Sequence, residues 1–265
     1  MHSMPRRRSP WCLVLALVCA LGATVWSQAA PDAAKPTPTP AAPAVPDGVK
    51  PTPAVPAAAK PKPRLDPSLA PVQDTPGLPR VLLVGDSISM GYTLPVRELL
   101  EGKANVHRIP ANSGPSTRAV AAMDRWLGEG RWDVIVFNSG LHDIKSDAEG
   151  KLQVPIEAYE KNLRAMVARL KATGATLIWC ATTPVPEGKL NPVRRNADVV
   201  AYNAVAKRVM DENGIEINDI YEFALPRLQE IQLPVNVHFS KPGSRVLAGE
   251  VARVIEAALS ARAAK

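Results

Sequence analysis

Short runs of apolar, largely β-branched residues alternate along the chain with longer segments whose apolar residues recur every three or four positions. The runs fit buried strands and lie at VLLVG (81–85), ANVHRI (104–109), DVIVFNSG (133–140), ATLIWCATT (175–183) and, more weakly, GIEIND (214–219). The longer segments fit helices, and they span 95–102, 117–128, 155–174, 197–214 and 242–260. The third and fourth helical segments end in glycine, which is typical of a helix C-cap.

Strands that alternate with helices in this way predict an α/β fold. The crossovers between parallel strands should be right-handed, so helices should cover both faces of a five-stranded parallel sheet. In such folds the ligand crevice lies beyond the carboxyl ends of the strands, where the strand order reverses. The residues that directly follow each predicted strand are therefore the ones to examine for chemistry.

The N-terminal segment has the layout of an export signal. Arg6, Arg7 and Arg8 precede the apolar run WCLVLALVCALGATVW (11–26), and small residues follow at Ser27-Gln28-Ala29. The run is too short for a typical membrane-spanning helix, so residues 1–29 are predicted to be a signal peptide. The protein is then secreted or periplasmic; the alternative is an uncleaved segment that anchors the chain to a membrane.

Residues 30–79 are dominated by proline and alanine and contain almost no large apolar side chains. Such a segment cannot offset the entropy lost on ordering, so it is predicted to be a disordered, extended linker. The sequence therefore divides into the signal peptide at 1–29, the linker at 30–79 and one folded domain at 80–265.

Charge and cysteine content exclude some classes of function. The net charge of the chain is +7, but residues 80–265 carry 24 Lys or Arg against 21 Asp or Glu, which is an ordinary protein surface. No basic run with interleaved aromatic residues indicates a nucleic-acid partner. Cys180 is the one cysteine beyond the predicted signal peptide, and its apolar neighbours indicate a buried residue rather than a nucleophile.

Ser87 and His238 are the strongest candidates for catalysis. Ser87 follows the first predicted strand, where a strand-to-helix turn can expose its hydroxyl and offer backbone amides to a developing oxyanion. By itself a serine at this point is more often a helix cap. His238 lies just before the last predicted helix, from which it can return to the same edge of the sheet and act as a general base.

Four short motifs together resemble the ordered blocks of the SGNH, or GDSL, hydrolases. They are Gly-Asp-Ser at 85–87, Ser-Gly at 113–114, Gly-x-x-Asp at 140–143 and HFSxxGxxxLA at 238–248. The resemblance implies a flavodoxin-like three-layer α/β/α sandwich that hydrolyses esters through an acyl-serine, without a metal or cofactor. It also implies that Ser87 is the nucleophile, that His238 is the base, and that the backbone N–H groups of Ser87 and Gly114 are oxyanion donors.

The sequence departs from this family at the third oxyanion donor. The family's asparagine side chain is replaced by His142. A neutral imidazole can still donate one N–H, so we predict that His142 completes the oxyanion hole with an altered pH dependence.

A second departure concerns the residue that orients the catalytic histidine. The family has an aspartate three residues before that histidine, and here the position is Val235. A backbone carbonyl, the side-chain oxygen of Asn236, or a carboxylate from elsewhere, such as Asp143 or Asp219, could hold the ring instead. We favour a Ser–His dyad with a neutral orienting group.

Asp86 and Asp143 are interpreted as supporting residues. Each lies beside a loop glycine or strand end, where a carboxylate can accept backbone N–H groups and hold a turn.

The predicted function is that of a secreted, monomeric serine esterase. Its expected substrates are short O-acyl esters, such as acetyl groups on a small molecule or polysaccharide, and no nucleic-acid partner is expected. A lysophospholipase or thioesterase would use the same residues, because a fold does not select the substrate. A non-catalytic carbohydrate-binding relative of these enzymes is favoured by Val235 and His142. A phosphate- or nucleotide-binding flavodoxin relative is the weakest alternative, because no glycine-rich phosphate loop follows the first strand.

Overall fold

Five parallel strands form the centre of the domain in the computed structural model, which describes residues 66–264. The sheet order is β2-β1-β3-β4-β5. The strands are β1 (Arg80–Val84), β2 (Asn105–Arg108), β3 (Val134–Phe137), β4 (Thr176–Cys180) and β5 (Glu216–Asn218). The predicted α/β fold and its five-stranded parallel sheet are thereby confirmed.

Seven helices accompany the sheet. They are α1 (Ser87–Leu99), α2 (Ser116–Leu127), α3 (Ile156–Lys171), α4 (Asn196–Glu212), α5 (Ile220–Ala224), α6 (Leu228–Ile231) and α7 (Lys241–Ala263) within the described part of the chain. Helices α1 and α7 pack against each other, while α2, α3 and α4 form a second packed series. All four residues of β3 are buried, as expected for a parallel strand covered on both faces.

The first helix begins earlier than the periodicity predicted. The pattern indicated a start at Pro95, whereas α1 begins at Ser87 and contains Pro95. The side chain of Asp86 accepts a hydrogen bond from the amide of Ile88 at 2.9 Å. An aspartate in this position stabilises a helix N-terminus, so the cap rather than the proline sets the start of the helix.

The strand order reverses at β1, which has β2 on one side and β3 on the other. Val84 and Phe137 are register partners, so the two strands end side by side. The loops that follow them, beginning at Gly85 and Asn138, therefore emerge next to each other. A ligand crevice is expected at this position in doubly wound sheets.

The folded part of the chain begins before the predicted boundary at residue 80. Residues Pro67–Leu69 form a 3-10 turn that packs on α1, and the amide of Thr75 donates to Asn105 Oδ1 at 2.8 Å. The last residues assigned to the linker are thus ordered, because side chains of β2 and α1 hydrogen-bond to them and pack on them. The composition of the segment itself does not reveal these contacts. The predicted signal peptide (1–29) and the rest of the predicted linker lie outside the described residues.

No helix between residues 66 and 264 combines the length and apolar character needed to cross a membrane.

Candidate active site

Ser87 lies at the turn between β1 and α1 and is partly exposed at the carboxyl edge of the sheet. Its amide belongs to the first residue of α1, and helices leave their first amides without an intrahelical acceptor. A Cβ at Gly85 would lie 2.7 Å from Ser89 Oγ, so any other residue would displace a hydroxyl that donates to the carbonyl of Asp86. The turn thus presents the Ser87 hydroxyl at the sheet edge, on the residue that also carries the first backbone N–H of α1.

A buried arginine, Arg108, donates hydrogen bonds to the backbone of the same turn. Nη2 of Arg108, at the end of β2, donates to the carbonyl oxygens of Gly85 at 2.9 Å and Asp86 at 3.0 Å. Burial lowers the pKa of this guanidinium to about 10, so it remains charged at neutral pH. Asp86, which is 2 % exposed, caps α1 as described above, so the structure gives it the turn-holding contact predicted from sequence.

His238 meets Ser87 across 151 positions of sequence. The distance between His238 Nε2 and Ser87 Oγ is 2.8 Å, within hydrogen-bond range. The other ring nitrogen, Nδ1, lies 2.8 Å from Asn236 Oδ1, which also accepts the backbone N–H of His238 at 2.9 Å. An oxygen can only accept here, so Nδ1 carries the hydrogen and Nε2 is free to accept the serine proton.

The structure favours one of the three predicted ways to orient His238. The ring is held by the neutral side chain of Asn236. Asp143 is hydrogen-bonded elsewhere, and Asp219 accepts the amide of Glu222 at the start of α5. Val235 is exposed and has a φ of 46°, which is unusual for a β-branched residue.

His142 lies on a single helical turn that follows β3. The amides of Asp143 and Ile144 donate to the carbonyl of Gly140, and the amide of Lys145 donates to the carbonyl of His142. This turn places His142 and Lys145 on one face, with Lys145 Nζ at 3.0 Å from His142 Nδ1. Burial lowers the pKa of His142 to about 4, and the nearby charges of Lys145 and Arg194 act in the same direction against that of Asp86.

The loop that carries Gly114 is fastened to the His142 loop by Asp143. Asp143 is fully buried, and its carboxylate accepts the Ser116 amide at 3.0 Å, the Ser116 hydroxyl and the Ser139 hydroxyl at 3.4 Å. Burial raises the pKa of Asp143 to about 6, while these hydrogen bonds oppose the rise. Asp143 therefore joins two loops rather than holding only its own turn.

The Gly114 amide already has a partner in this structure. It donates to Asn112 Oδ1 at 2.9 Å. Gly114 has a φ of 66°, and a Cβ there would lie 3.2 Å from Arg118 Cδ, so a side chain is disfavoured at this position. The Asn112 oxygen thus occupies the acceptor position that an oxyanion would take at this amide.

Ser87, His142 and His238 line one open cleft of about 400 Å³. Its wall includes Ser87, His142 and His238 together with Asn112, Leu141, Leu190, Asn191, Pro192, Arg194, Val235, Asn236 and Val237. Arg194 is half-buried and its Nε donates to the Leu141 carbonyl at 2.8 Å. The cleft is lined by amides, imidazoles and a guanidinium and by no carboxylate, which suits a polar, uncharged or anionic ligand. Among residues 66–264, no group of three or more His, Cys, Asp or Glu side chains is placed to hold a metal ion.

Sequence reasoning missed four residues of this site. Lys145 was detectable, because a lysine three positions after His142 on one turn can reach its ring. Asn112 was detectable too, because an asparagine side chain can accept the backbone N–H two positions later. Arg108 and Arg194 gave no comparable signal, since each contact depends on how loops or strands distant in sequence pack together.

Comparisons with known proteins identify related sequences and folds. The sequence model of the GDSL-like Lipase/Acylhydrolase family matches residues 83–246. A GDSL esterase/lipase of Arabidopsis thaliana, CPRD49, is 24% identical over 210 residues, covering 69% of this chain and 81% of the plant protein.

Two solved structures share the fold. The lipase/acylhydrolase from Enterococcus faecalis matches with a TM-score of 0.59 and 18% identity over 68% of this chain and 96% of its own. The acetyl xylan esterase AlAXEase matches with a TM-score of 0.58 and 18% identity over 66% of this chain and 99% of its own.

Proposed function

Because the chain belongs to the GDSL-like lipase/acylhydrolase family, whose members hydrolyse carboxylic esters, we propose that it cleaves short O-acyl esters with Ser87 as nucleophile and His238 as general base. The observation that carries this proposal is the 2.8 Å contact between Ser87 Oγ and His238 Nε2. A nucleophile and a base within hydrogen-bond reach, with the base oriented by a third group, are the requirements for this chemistry.

The proposed reaction begins with the hydroxyl of Ser87. Its proton passes to Nε2 of His238 while Oγ attacks the acyl carbon and forms a tetrahedral oxyanion. The oxyanion collapses, the alcohol leaves with the proton from His238, and the acyl group remains on Ser87. His238 then activates a water, which releases the carboxylic acid and restores the serine. Asn236 holds the ring throughout through its contact with Nδ1.

Three donors are proposed for the oxyanion: the N–H groups of Ser87 and Gly114 and the ring of His142. The Ser87 amide is the first of α1, so it has no acceptor within the helix. The Gly114 amide becomes available when the substrate oxygen replaces Asn112 Oδ1. His142 lines the same cleft and is neutral at physiological pH, since its pKa is lowered to about 4 mainly by burial.

The site supports a small acyl group on a polar alcohol. The cleft is open, holds about 400 Å³ and is lined by three asparagines and Arg194, which can hydrogen-bond the hydroxyl groups of a sugar. The fold similarity to an acetyl xylan esterase is consistent with acetyl groups on polysaccharide as the substrate class. A non-catalytic, carbohydrate-binding function is disfavoured, because Asn236 makes the contact to His238 Nδ1 that the side chain of Val235 cannot make.

The proposed location is secreted or periplasmic. It is supported by the arginines, apolar run and small residues of the first 29 positions, which lie outside the described residues. The mass of the mature protein recovered from the producing cell, compared with that of the full chain, measures whether the segment is removed.

Labelling with a fluorophosphonate probe tests the catalytic proposal. The wild-type protein is expected to react at Ser87, and Ser87→Ala should abolish both the label and the hydrolysis of p-nitrophenyl acetate and acetylated xylan. Ser260→Ala, which changes an exposed serine on α7, is the matched control and should be labelled like the wild type. Label that persists in Ser87→Ala would refute the assignment of the nucleophile.

A further inference from the structure

We propose that Lys145 is a positioning residue that fixes the tautomer of His142, so that Nε2 of this ring presents its hydrogen to the oxyanion. This inference rests on the proposed function, because it explains how a histidine can serve where related enzymes use an amide. The observation behind it is the 3.0 Å contact between Lys145 Nζ and His142 Nδ1.

The chemistry of the two groups allows only one arrangement. A lysine ammonium has three donors and no acceptor, so the nitrogen that it contacts must be the acceptor. His142 Nδ1 is therefore unprotonated, and the single hydrogen of the neutral ring is on Nε2. A neutral histidine without this contact would divide between two tautomers, and only one of them could donate toward the cleft.

The surroundings of His142 agree with a donor reserved for a ligand. Nε2 makes no hydrogen bond to another residue in the described part of the chain, and the ring lines the cleft together with Ser87 and His238. The local turn holds both partners, since the Lys145 amide donates to the His142 carbonyl and the Lys145 carbonyl accepts the amide of Gln153 at 2.7 Å.

The ammonium also acts on the charge state and strength of the donor. A second proton on the ring would have to take the position at Nδ1 that the ammonium already occupies, and the two charges would repel each other. The titratable and charged groups around the ring are Asp86, Lys145, Arg194 and His238, and burial is the largest cause of the lowered pKa of His142. A positive charge at Nδ1 additionally polarises the ring and makes Nε2–H a stronger donor.

A double-mutant cycle measures this coupling. Lys145→Met is expected to lower kcat by about ten- to a hundredfold with KM little changed, because the lost interaction is made mainly in the transition state. Lys145→Arg, which keeps a cationic donor, should recover a substantial part of the rate. In a His142→Asn background the amide needs no tautomer, so the Lys145→Met effect should shrink to about twofold or less. A persistent loss in that background would show that Lys145 acts only as a nearby charge and would overturn the proposal.

Nitrogen NMR gives a readout that needs no catalysis. The His142 signals, identified by their absence from His142→Asn, should show an unprotonated Nδ1 and a protonated Nε2 in the wild type. Lys145→Met should shift them toward a mixture of tautomers, whereas Lys161→Met on the exposed face of α3 should leave them unchanged. Protonated Nδ1 in the wild type would also overturn the proposal. The Ser87→Ala labelling experiment tests the esterase assignment separately. The labelling can therefore refute the esterase assignment without affecting the NMR result on His142, and the reverse also holds.

Discussion

Asn236 holds His238 through one oxygen that accepts two hydrogen bonds. Its Oδ1 receives both the backbone N–H and the ring Nδ1–H of His238. Both donors come from the same residue, so the amide oxygen rather than the amide nitrogen faces the ring. A neutral group can in this way select the base-competent tautomer, although it supplies no negative charge to stabilise the imidazolium.

Substitutions at Asn236 separate orientation from charge. We expect Asn236→Ala to lower kcat by about ten- to a hundredfold, since the ring loses its partner and general-base catalysis depends on its placement. Asn236→Asp should match or exceed the wild-type kcat, because a carboxylate orients the same nitrogen and stabilises the cation. Steady-state hydrolysis of p-nitrophenyl acetate measures both, and an unchanged kcat in Asn236→Ala would contradict the orienting role.

His142 and Asp143 oppose each other in the pH dependence of stability. His142 has its pKa lowered from 6.5 to about 4, so the unfolded chain takes up this proton first and stability falls as the pH drops through that range. Asp143 has its pKa raised from 3.8 to about 6, so the folded chain keeps this proton longer and stability falls as the pH rises through that range. The contributions of His142 and Asp143 to the slope of stability against pH therefore have opposite signs between about pH 4 and pH 6.

Replacing His142 should therefore expose the contribution of Asp143. We expect the free energy of unfolding of His142→Asn to rise relative to that of the wild type as the pH falls from 6.5 toward 4. Between these two values His142 is protonated in the unfolded wild-type chain but not in the folded one. Urea unfolding at a series of pH values gives the free energy of unfolding of both proteins. A difference between them that does not change with pH would contradict the lowered pKa.

The start of α7 determines where the His238 loop lies. Ser240 caps the helix by accepting the Gly243 amide at 3.0 Å, and the amide of Ser240 donates to the carbonyl of Ile231 at 2.9 Å. The loop is also closed by the amide of Leu233, which donates to the carbonyl of His238. A Cβ at Gly243 would lie 2.0 Å from the Ile231 carbonyl oxygen, so α6 and α7 approach this closely only because the residue is glycine.

Two glycines of the same helix offer a matched comparison. We expect Gly243→Ala to cost about 1–3 kcal/mol of stability through overpacking and to lower kcat, since the helix start and the His238 loop must shift. Gly249→Ala has open space around its new Cβ and should instead stabilise the protein by about 0.5–1 kcal/mol. Urea unfolding measures both variants, and equal stabilities would argue against the close approach of the two helices.

The segment before β1 closes one edge of the whole domain. Asn105 on the edge strand β2 accepts the Thr75 amide and donates to the carbonyls of Thr75 at 3.0 Å and Leu78 at 3.2 Å. Arg97 donates to the Ala70 carbonyl, and Asp74 forms an ion pair with Arg80 and contacts the ring of His107. The segment is thus held beside the edge strand β2 by side chains of β2, α1 and β1.

Removing the Asn105 side chain should release this segment without unfolding the sheet. Asn105→Ala is expected to cost about 1–3 kcal/mol, because the amide and carbonyl of Thr75 lose partners. Hydrogen exchange at the Thr75 amide should accelerate while exchange in β3 changes less. Gln73→Ala, at an exposed position in the same segment, is the control and should leave the exchange of Thr75 unaltered.

The pattern of the sequence was sufficient for the architecture and for the candidate residues. Alternation of strand-like and helix-like periods reports which faces are buried, and this property is local, so the five strands and the longer helices could be predicted. Residues that follow parallel strands share one edge, so Ser87 could be singled out there, and His238 could be singled out because the loop before the last helix can return to that edge. The family assignment followed from four short motifs in order, and the match over residues 83–246 confirmed it.

Tertiary structure alone decided the contacts within that site. Which group orients His238 depended on the backbone of a loop in which Val235 has a positive φ, and no local pattern specifies that geometry. The contacts of the buried Arg108 with the turn before Ser87 and the ordering of the residues before β1 likewise depend on partners distant in sequence. Periodicity determines which faces are buried, whereas the pairing of polar groups is determined only when the elements pack and bring distant donors and acceptors together.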